Sequence, residues 1–366
     1  MKTIVISAVN LRKGGTLTIL RQCLAYLSSV AEERRWRIVA LVHRRTLCDY
    51  PHIEYIEMPD VAKGWLRRLW CEYVTMHGIS KRLGRVDLWF SLHDTTPRVQ
   101  AERQAVYCQT SFPFLKWRWS DWFFDPKIAL FALFTRFAYL VNSRRNRYFV
   151  VQTAWLRRSF AALFSLPESR FVVAPPTRDR MEVTDEQPKP SLPTFFYPAT
   201  PDCHKNFETL CRAAERLEGE LGRGKFRVEI TLSGDENRYA RWLHKRWGSL
   251  SSIAFVGFLS REELFRRYAA SSALIFPSRV ETWGLPISEF APYGKPMVLA
   301  DLPYAYEAAA GHAKVALFDP SDAEALAASM GALIRGDYSA FRALPKAVIE
   351  APFAPGWDAL FRQLLV

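Results

Sequence analysis

Two glutamates, Glu281 and Glu289, are separated by seven residues in a stretch whose character changes from strand-like to helix-like. The apolar run 273–276 is typical of a buried strand, and Pro286 is typical of the first turn of a helix. We therefore expect Glu281 in a loop and Glu289 in the first turns of the helix. Because ionised carboxylates only accept hydrogen bonds, hydroxyl groups of a sugar or a ribose would suit both side chains.

The start of the same predicted helix favours an anion. Backbone amides near Gly284 and Leu285 would point into the crevice that the two glutamates face, and a helix N-terminus attracts a phosphate group. A phosphate site beside hydroxyl-binding carboxylates indicates a ligand that carries both groups. The alternative is that Glu289 only complements the helix N-terminus while Glu281 is a solvated loop residue.

The whole stretch resembles a known signature. Residues 276–296 read Phe-Pro-Ser-Arg-Val-Glu-Thr-Trp-Gly-Leu-Pro-Ile-Ser-Glu-Phe-Ala-Pro-Tyr-Gly-Lys-Pro. This resembles the E-x7-E signature of retaining glycosyltransferases of family 4, which include bacterial surface-polysaccharide enzymes. The resemblance implies the GT-B fold, an α/β architecture of two Rossmann-like domains with a deep interdomain cleft.

A lysine and two glycines fit the same resemblance. Lys205 follows a predicted strand at the start of a helix, where a cation is well placed to neutralise a diphosphate. It matches the family's phosphate-binding lysine, although the arginine that many members carry a few residues earlier is absent here. Gly14 and Gly15 follow the first strand and match the family's glycine loop over the donor diphosphate. A plain tight turn and a solvated lysine are the alternatives.

Three further residues are candidates for contacts with the substrate. His93 and Asp94 end a strand of the first half and resemble the His-Asp pair of part of the family, which implies contact with the transferred sugar. A structural histidine is the alternative for His93. Phe258 lies where the family places backbone contacts to the nucleotide base, and a core aromatic is its alternative.

Strand-like and helix-like segments alternate in both halves, which predicts two doubly wound parallel sheets. The predicted strands are 3–9, 37–42, 53–58, 87–92, 105–108 and 148–151, and then 194–197, 226–232, 253–256, 273–276, 296–299 and 315–318. A polar, proline-rich stretch separates the two sets. We predict an acceptor-binding domain over 1–178, a linker over 179–193, a nucleotide-sugar-binding domain over 194–350, and a helix within 351–366 that packs back toward the first domain.

Composition sets further limits. The chain has 366 residues, of which 49% are apolar, enough for two α/β cores. The longest apolar run, 128–141, contains Thr135 and Arg136 and is shorter than the ~20 residues of a spanning helix. The six cysteines show neither paired spacing nor a matching histidine pattern, so we expect reduced, mostly structural thiols and no metal. With no secretory signal visible, we expect the protein in the cytoplasm.

The positive charge is concentrated in the first half. Residues 1–170 hold 27 basic and 13 acidic residues, whereas residues 171–366 hold 23 and 24. Segments 65–70 and 116–119 mix cations with indoles, and aromatic residues follow at 122–124. We therefore predict peripheral attachment of the N-terminal domain to an anionic membrane, at the inner face of the cytoplasmic membrane. The alternative is that the tryptophans are core residues and the arginines are solvated.

The resemblance implies transfer of a hexose from a nucleotide-diphosphate sugar to a hydroxyl of a glycan or lipid-linked glycan, with retention of configuration. Polysaccharide, lipopolysaccharide or O-antigen assembly is the implied pathway. We expect no cofactor beyond the donor, and the sequence does not separate UDP, GDP and dTDP. The alternatives are a GT-B sugar-nucleotide 2-epimerase, a basic nucleic-acid-binding protein and a catalytically silent scaffold. No recognised DNA- or RNA-binding motif is present, so no nucleic-acid partner is expected, and the intact Glu281, Lys205 and Glu289 argue against a silent scaffold.

Overall fold

The structure, a computed structural model, describes residues 1–176 and 190–366 of the chain, without the side chains at positions 62, 65, 127, 129 and 131. Most of the predicted linker 179–193 and the side chain of Trp65 therefore lie outside the described residues. The chain divides into two compact units. The first comprises Met1–Pro113, Phe134–Thr177 and Ile349–Val366, and the second comprises Phe114–Leu133 and Arg178–Val348.

The first unit contains a seven-stranded parallel sheet in the order β3-β2-β1-β4-β5-β6-β7. Its strands are β1 (Lys2–Ala8), β2 (Trp36–Val42), β3 (Ile53–Glu57), β4 (Leu88–Ser91), β5 (Gln104–Tyr107), β6 (Tyr148–Val151) and β7 (Phe171–Val173). Its helices are α1 (Gly14–Val30), α2 (Trp65–Trp70), α3 (Met76–Leu83) and α6 (Ala154–Phe164), and a π-helical turn, Cys71–Thr75, joins α2 to α3. Two more helices, α4 (Trp119–Phe124) and α5 (Pro126–Leu140), lie between β5 and β6 in the chain.

Alternate residues of the central strand β1 serve two cores. Ile4 and Ile6 belong to a buried cluster on one face of the sheet, together with Leu20 and Leu24 of α1. Val5 belongs to a second cluster on the other face, with Ile79 of α3. Successive side chains of a strand point to opposite faces, so a strand covered on both sides reads as a continuous apolar run.

The second unit contains a six-stranded parallel sheet in the order β10-β9-β8-β11-β12-β13. Its strands are β8 (Thr194–Tyr197), β9 (Arg227–Ile230), β10 (Ile253–Phe255), β11 (Ala273–Phe276), β12 (Met297–Ala300) and β13 (Val315–Phe318). Its helices are α7 (Phe207–Leu221), α8 (Arg238–Trp247), α9 (Arg261–Ala270), α10 (Leu285–Phe290), α11 (Pro303–Ala308) and α12 (Ala323–Ile334). The strand order reverses between β8 and β11, the position where parallel α/β sheets bind ligands at their carboxyl ends.

The last helix, α13 (Trp357–Leu364), belongs to the first unit. Leu360, Phe361 and Leu364 enter the same core cluster as α1, and the Tyr26 hydroxyl donates to Asp358 at 3.0 Å. The first unit therefore takes part of its core from the C-terminal end of the described chain.

The structure differs from the predicted organisation in two places. Residues 114–133 were expected in the N-terminal domain but belong to the second unit. The cause is a set of long-range contacts, in which Asp121 pairs with Arg279 and Phe124 packs against Trp242 with ring centroids 4.8 Å apart. Strand β7 was not predicted, because it has only three residues before a proline-rich stretch.

Replacement of Phe361 by alanine should strongly destabilise the first unit. The ring is fully buried and contacts Tyr26, Trp36 and Phe90. Loss of a buried phenylalanine costs about 3–5 kcal/mol. The control is Val366→Ala, because Val366 is 73% exposed. Thermal unfolding followed by circular dichroism measures both variants, and equal midpoints would contradict this packing role.

Candidate functional site

Lys205 and Glu281 form an ion pair at the carboxyl end of the second sheet. The Lys205 Nζ donates to Glu281 Oε1 at 2.6 Å, and both side chains are largely buried, with 16% and 13% exposed. Lys205 follows β8 and Glu281 follows β11, the two strands that flank the reversal of strand order. The sequence-predicted cation and loop carboxylate are therefore in direct contact at the position where such sheets bind ligands.

The loops that carry this pair are held in place by hydrogen bonds to backbone carbonyls. The amide of Arg279 donates to the carbonyl of His204 at 2.8 Å, and the Asn206 side chain donates to the carbonyl of Pro277 at 3.0 Å. From the other side, the Tyr304 hydroxyl donates to the carbonyl of Ser278 at 2.6 Å. These bonds hold the loop of Glu281 against the turn of Lys205, so the pair is preorganised.

Arg279 and Asp121 form a second, almost completely buried ion pair beside this loop. Their side chains are 6% and 5% exposed, and both Arg279 Nη atoms donate to the carboxylate, one of them to Oδ2 at 3.1 Å. Removing one partner of such a pair would leave an uncompensated charge in the interior. This pair was not predicted from the sequence, because its two residues are 158 positions apart and Asp121 stands in no recognisable motif.

Glu289 has different partners from Glu281. Its Oε2 accepts a hydrogen bond from Tyr268 at 3.2 Å, and its Oε1 lies 3.7 Å from Arg261 Nη1. Burial raises the pKa of Tyr268 well above its usual value, and the charge of Glu289 adds to the increase. Tyr268 therefore remains a protonated donor that orients Glu289. The predicted role of Glu289 at the ribose stays a prediction.

The turn before α10 requires a glycine. Gly284 has φ of +86°, and a Cβ there would lie 3.1 Å from the Ile287 side chain. No side chain caps the helix that begins at Leu285. That the amides of Gly284 and Leu285 bind a diphosphate stays a prediction.

The glycine loop of the first unit lies at the start of α1. Gly14 has φ of +67°, with no atom within 4 Å of an added Cβ, and α1 has no side-chain cap. Gly14 and Gly15 are both exposed after β1. The loop thus has open space at the start of a 17-residue helix, as a site for an anion requires.

His93 is buried in a hydrogen-bonded network. Its Nε2 lies 2.9 Å from Ser7 Oγ, and its Nδ1 lies 3.0 Å from Thr95 Oγ1 and 3.5 Å from Glu72 Oε1. Burial lowers the pKa of His93 to about 4, although the charge of Glu72 acts in the opposite direction. The imidazole is therefore neutral at physiological pH, and its side chain is 0% exposed.

Asp94, the next residue, adopts a left-handed conformation with φ of +67°. Its Oδ1 accepts hydrogen bonds from the amides of Gln109 at 2.5 Å and Thr110 at 3.0 Å. Burial raises the pKa of Asp94 to about 6, while these hydrogen bonds and the charge of Arg68 act to lower it. The two adjacent predicted residues therefore have separate partners and do not form a dyad with each other.

A buried ion pair that the sequence analysis missed supports this region. Arg68 Nε donates to Glu72 Oε1 at 2.9 Å, and Arg68 Nη2 donates to the carbonyl of His93 at 3.0 Å. Glu72 is only 1% exposed and lies in the π-helical turn Cys71–Thr75. Such turns are frequent at functional sites, but they have no reliable signature in a single sequence.

Phe258 is 95% exposed. The alternative that it is a core aromatic is therefore wrong. It follows Gly257, which has φ of +73°, in the loop after β10. Its predicted place near the nucleotide base stays a prediction.

The state of the cysteines, possible metal ligands and possible membrane-spanning helices can be read directly from the described residues. All six cysteines are buried and none forms a disulfide. Across residues 1–176 and 190–366, no group of three or more potential ligands is placed to hold a metal ion. In the same ranges, no helix combines the length and apolarity that crossing a bilayer requires.

His93 and Asp94 should have opposing effects on stability between about pH 4 and 6. The lowered pKa of His93 lets the unfolded chain bind more protons, so its contribution falls as pH decreases from the usual histidine value toward 4. The raised pKa of Asp94 gives stability that is present at low pH and is lost as pH rises through 6. Each group changes the free energy of unfolding by about 3 kcal/mol over its pH interval, so the contributions of these two groups largely cancel.

Single substitutions should separate the two effects. Relative to the unchanged protein, His93→Asn should lower the slope of unfolding free energy against pH between pH 4 and 6, and Asp94→Asn should raise it. Chemical unfolding at a series of pH values measures this slope for all three proteins. Changes of the same sign in the two variants would contradict the assignment.

Comparison with known proteins agrees with this fold. The family model of glycosyl transferases group 1 matches residues 193–336. O-antigen chain mannosyltransferase B of Escherichia coli is 30% identical over 140 residues, which is 36% of this chain and 34% of that protein. The chain therefore aligns with about a third of the length of that curated relative.

Two solved structures extend the similarity to almost the whole chain. WaaG, a glycosyltransferase involved in lipopolysaccharide biosynthesis, has a TM-score of 0.62 at 15% identity over 91% of this chain and 92% of that chain. HepE of Anabaena, in complex with UDP and glucose, has a TM-score of 0.61 at 15% identity, covering 91% and 90%. The chain has the GT-B fold, and residues 193–336 in its second unit match the glycosyl transferases group 1 family.

Proposed function

We propose that this protein is a retaining glycosyltransferase that moves a hexose from a nucleotide-diphosphate sugar to a hydroxyl of a glycan or lipid-linked glycan. The observation that carries the proposal is the Lys205–Glu281 pair at the reversal of strand order in the second sheet. The family match over residues 193–336, which contain both side chains, supports it. The relatives in O-antigen and lipopolysaccharide synthesis favour a role in bacterial polysaccharide assembly.

The chemistry follows from where charge develops. Cleavage of the glycosidic bond builds negative charge on the leaving diphosphate and positive charge on the anomeric carbon. The Lys205 ammonium has three N–H donors, so it can keep Glu281 as one acceptor and offer another proton to a phosphate oxygen. Within the second unit, the amides near Gly284 are the other proposed donors to the diphosphate.

Glu281 supplies the complementary group. Its carboxylate accepts hydrogen bonds from hydroxyls of the sugar and places negative charge near the anomeric carbon. Attack occurs on the face that the diphosphate leaves, and the leaving phosphate takes the acceptor proton. A second carboxylate as nucleophile, as in retaining glycosidases, is not part of this mechanism. Glu289, oriented by Tyr268, accepts from the ribose hydroxyls.

We place the enzyme in the cytoplasm, attached peripherally to the inner face of the membrane where a lipid-linked acceptor would be presented. An exposed indole of the first unit supports attachment, since Trp70 is 66% exposed. Phe124, in contrast, packs against Tyr239 and Trp242 and does not belong to an exposed surface.

Glu281→Gln and Lys205→Ala should each lose transfer activity while remaining folded. Removing one preorganised charge from a transition state costs about 100-fold to 1,000-fold in turnover. Glu262→Gln and Lys225→Ala are matched controls, because both residues are exposed in the same unit. Transfer from a panel of nucleotide sugars to a lipid-linked acceptor measures the effect. Full turnover by both site variants would overturn the assignment, and release of an epimer without acceptor would favour the epimerase alternative.

Glu289→Gln should weaken binding of a nucleoside diphosphate about tenfold, the usual worth of one charge-assisted hydrogen bond. Binding of inorganic pyrophosphate, which has no ribose, should not change. Isothermal titration calorimetry with UDP, GDP, dTDP and pyrophosphate measures both quantities. An equal loss for pyrophosphate would show that Glu289 acts on the phosphates and not on the ribose.

A further inference from the structure

The outward face of α5 is apolar. The exposed side chains on this face are Leu130, Leu133, Phe134, Phe137, Leu140 and, just after the helix, Val141, each between 40% and 61% exposed. Their spacing of three and four residues places them along one side of a helix. The opposite side is formed by Ala132, Thr135 and Tyr139, which are 1–4% exposed. Apart from Arg136, which is also exposed, the described solvent-facing side chains of α5 are therefore apolar, whereas an ordinary surface helix presents polar residues to water.

The length of α5 decides how it could meet a bilayer. Fifteen residues of α-helix extend about 22 Å, which is less than the roughly 30 Å of the hydrocarbon core. The helix can therefore lie along an interface but cannot cross it. Contiguous exposed apolar surface of this kind marks an interaction site.

An arginine-rich cavity follows the helix directly in the chain. Its volume is about 730 Å³, and the arginines that line it are Arg103, Arg144, Arg145, Arg147 and Arg170. Glu102 is the acidic residue of its lining. Arg170 donates to the carbonyls of Arg144 and Asn146, which fixes its side chain at the cavity wall. Within the described ranges, Arg144, Arg145 and Arg147 form no ion pair with an acidic side chain.

The two features together select one occupant. A nucleic acid would satisfy the arginines but would leave the phenylalanine and leucine side chains of α5 in water. A second copy packed on this face would bring two sets of arginines close together, because a twofold interface uses the same surface on both subunits. An anionic bilayer offers phosphates to the cations and acyl chains to the apolar face.

We propose that α5 lies in the headgroup region of an anionic phospholipid bilayer, with Phe134 and Phe137 inserted and the neighbouring arginine cavity binding lipid phosphates. This inference deepens the proposed function, since it assigns the membrane attachment to a surface within the first unit and the helix that leads into it. Two weak signals combine here, one apolar and one ionic, as stable interfacial binding generally requires.

Flotation of the full-length protein with vesicles tests the proposal. The vesicles contain either phosphatidylcholine alone or a mixture of phosphatidylcholine with about a quarter phosphatidylglycerol, enough to give a negative surface. The variants are Phe134→Ser/Phe137→Ser and Arg144→Glu/Arg145→Glu. Their matched controls are Tyr338→Ser/Val348→Ser and Lys225→Glu/Lys346→Glu, at exposed positions of the second unit.

The unchanged protein and both controls should float with the anionic vesicles, and each test variant should lose at least tenfold in partition coefficient. Salt should weaken binding by the unchanged protein. Loss in the controls as well, equal binding to neutral vesicles, or dimerisation through α5 in the absence of lipid would overturn the proposal. The proposal would also be overturned if a soluble polyphosphate prevented flotation while the Phe134→Ser/Phe137→Ser variant floated as well as the unchanged protein.

A separate measurement keeps this proposal distinct from the proposed function. Thermal shift with nucleotide sugars, without vesicles, reports donor binding. The α5 and arginine variants should keep the shift of the unchanged protein, because neither pair of residues belongs to the proposed donor site. If nucleotide sugars caused no thermal shift in any of these proteins, the unchanged one included, the proposed function would be refuted. Loss of flotation in the test variants alone would still support the docking surface.

Discussion

The contact between Lys205 and Glu281 is the interaction on which the arrangement of the candidate site in the second unit depends. A cation and an anion with little exposure stabilise each other only while both are held in place, since either one alone would be costly to bury. The surrounding loops meet this requirement through bonds to His204, Pro277 and Ser278 that leave little freedom at either end. The same rigidity serves transition-state stabilisation, because a charge that is already in place needs no reorganisation when the bond breaks.

Each unit places its candidate residues at the reversal of strand order in its sheet. In the first unit, Gly14 follows β1, and His93 and Asp94 follow β4, which is the neighbour of β1. In the second unit, Lys205 and Glu281 follow β8 and β11 in the same way. Parallel strands diverge at such a reversal, so the loops that leave them open a crevice at the carboxyl edge.

Local patterns in the sequence were sufficient for most of the strands and for naming Lys205 and Glu281 as candidates, but not for their direct contact. Buried parallel strands read as short apolar runs, and loops that follow two adjacent strands lie at the same edge of the sheet. Pairs that depend on tertiary packing were not predictable in this way. The pairs Asp121–Arg279 and Glu72–His93 come together only through the tertiary fold, which leaves no periodic pattern in the sequence. The two-unit division failed over residues 114–133 for the same reason, because the contacts that hold this segment are far away in sequence.

The C-terminal helix has a consequence for the order in which the chain acquires its structure. Because α13 contributes Leu360, Phe361 and Leu364 to the core beside α1, the first unit lacks an interior layer until these residues have left the ribosome. All described segments of the second unit precede residue 349, so the apolar surface beside α1 stays uncovered while that unit is synthesised.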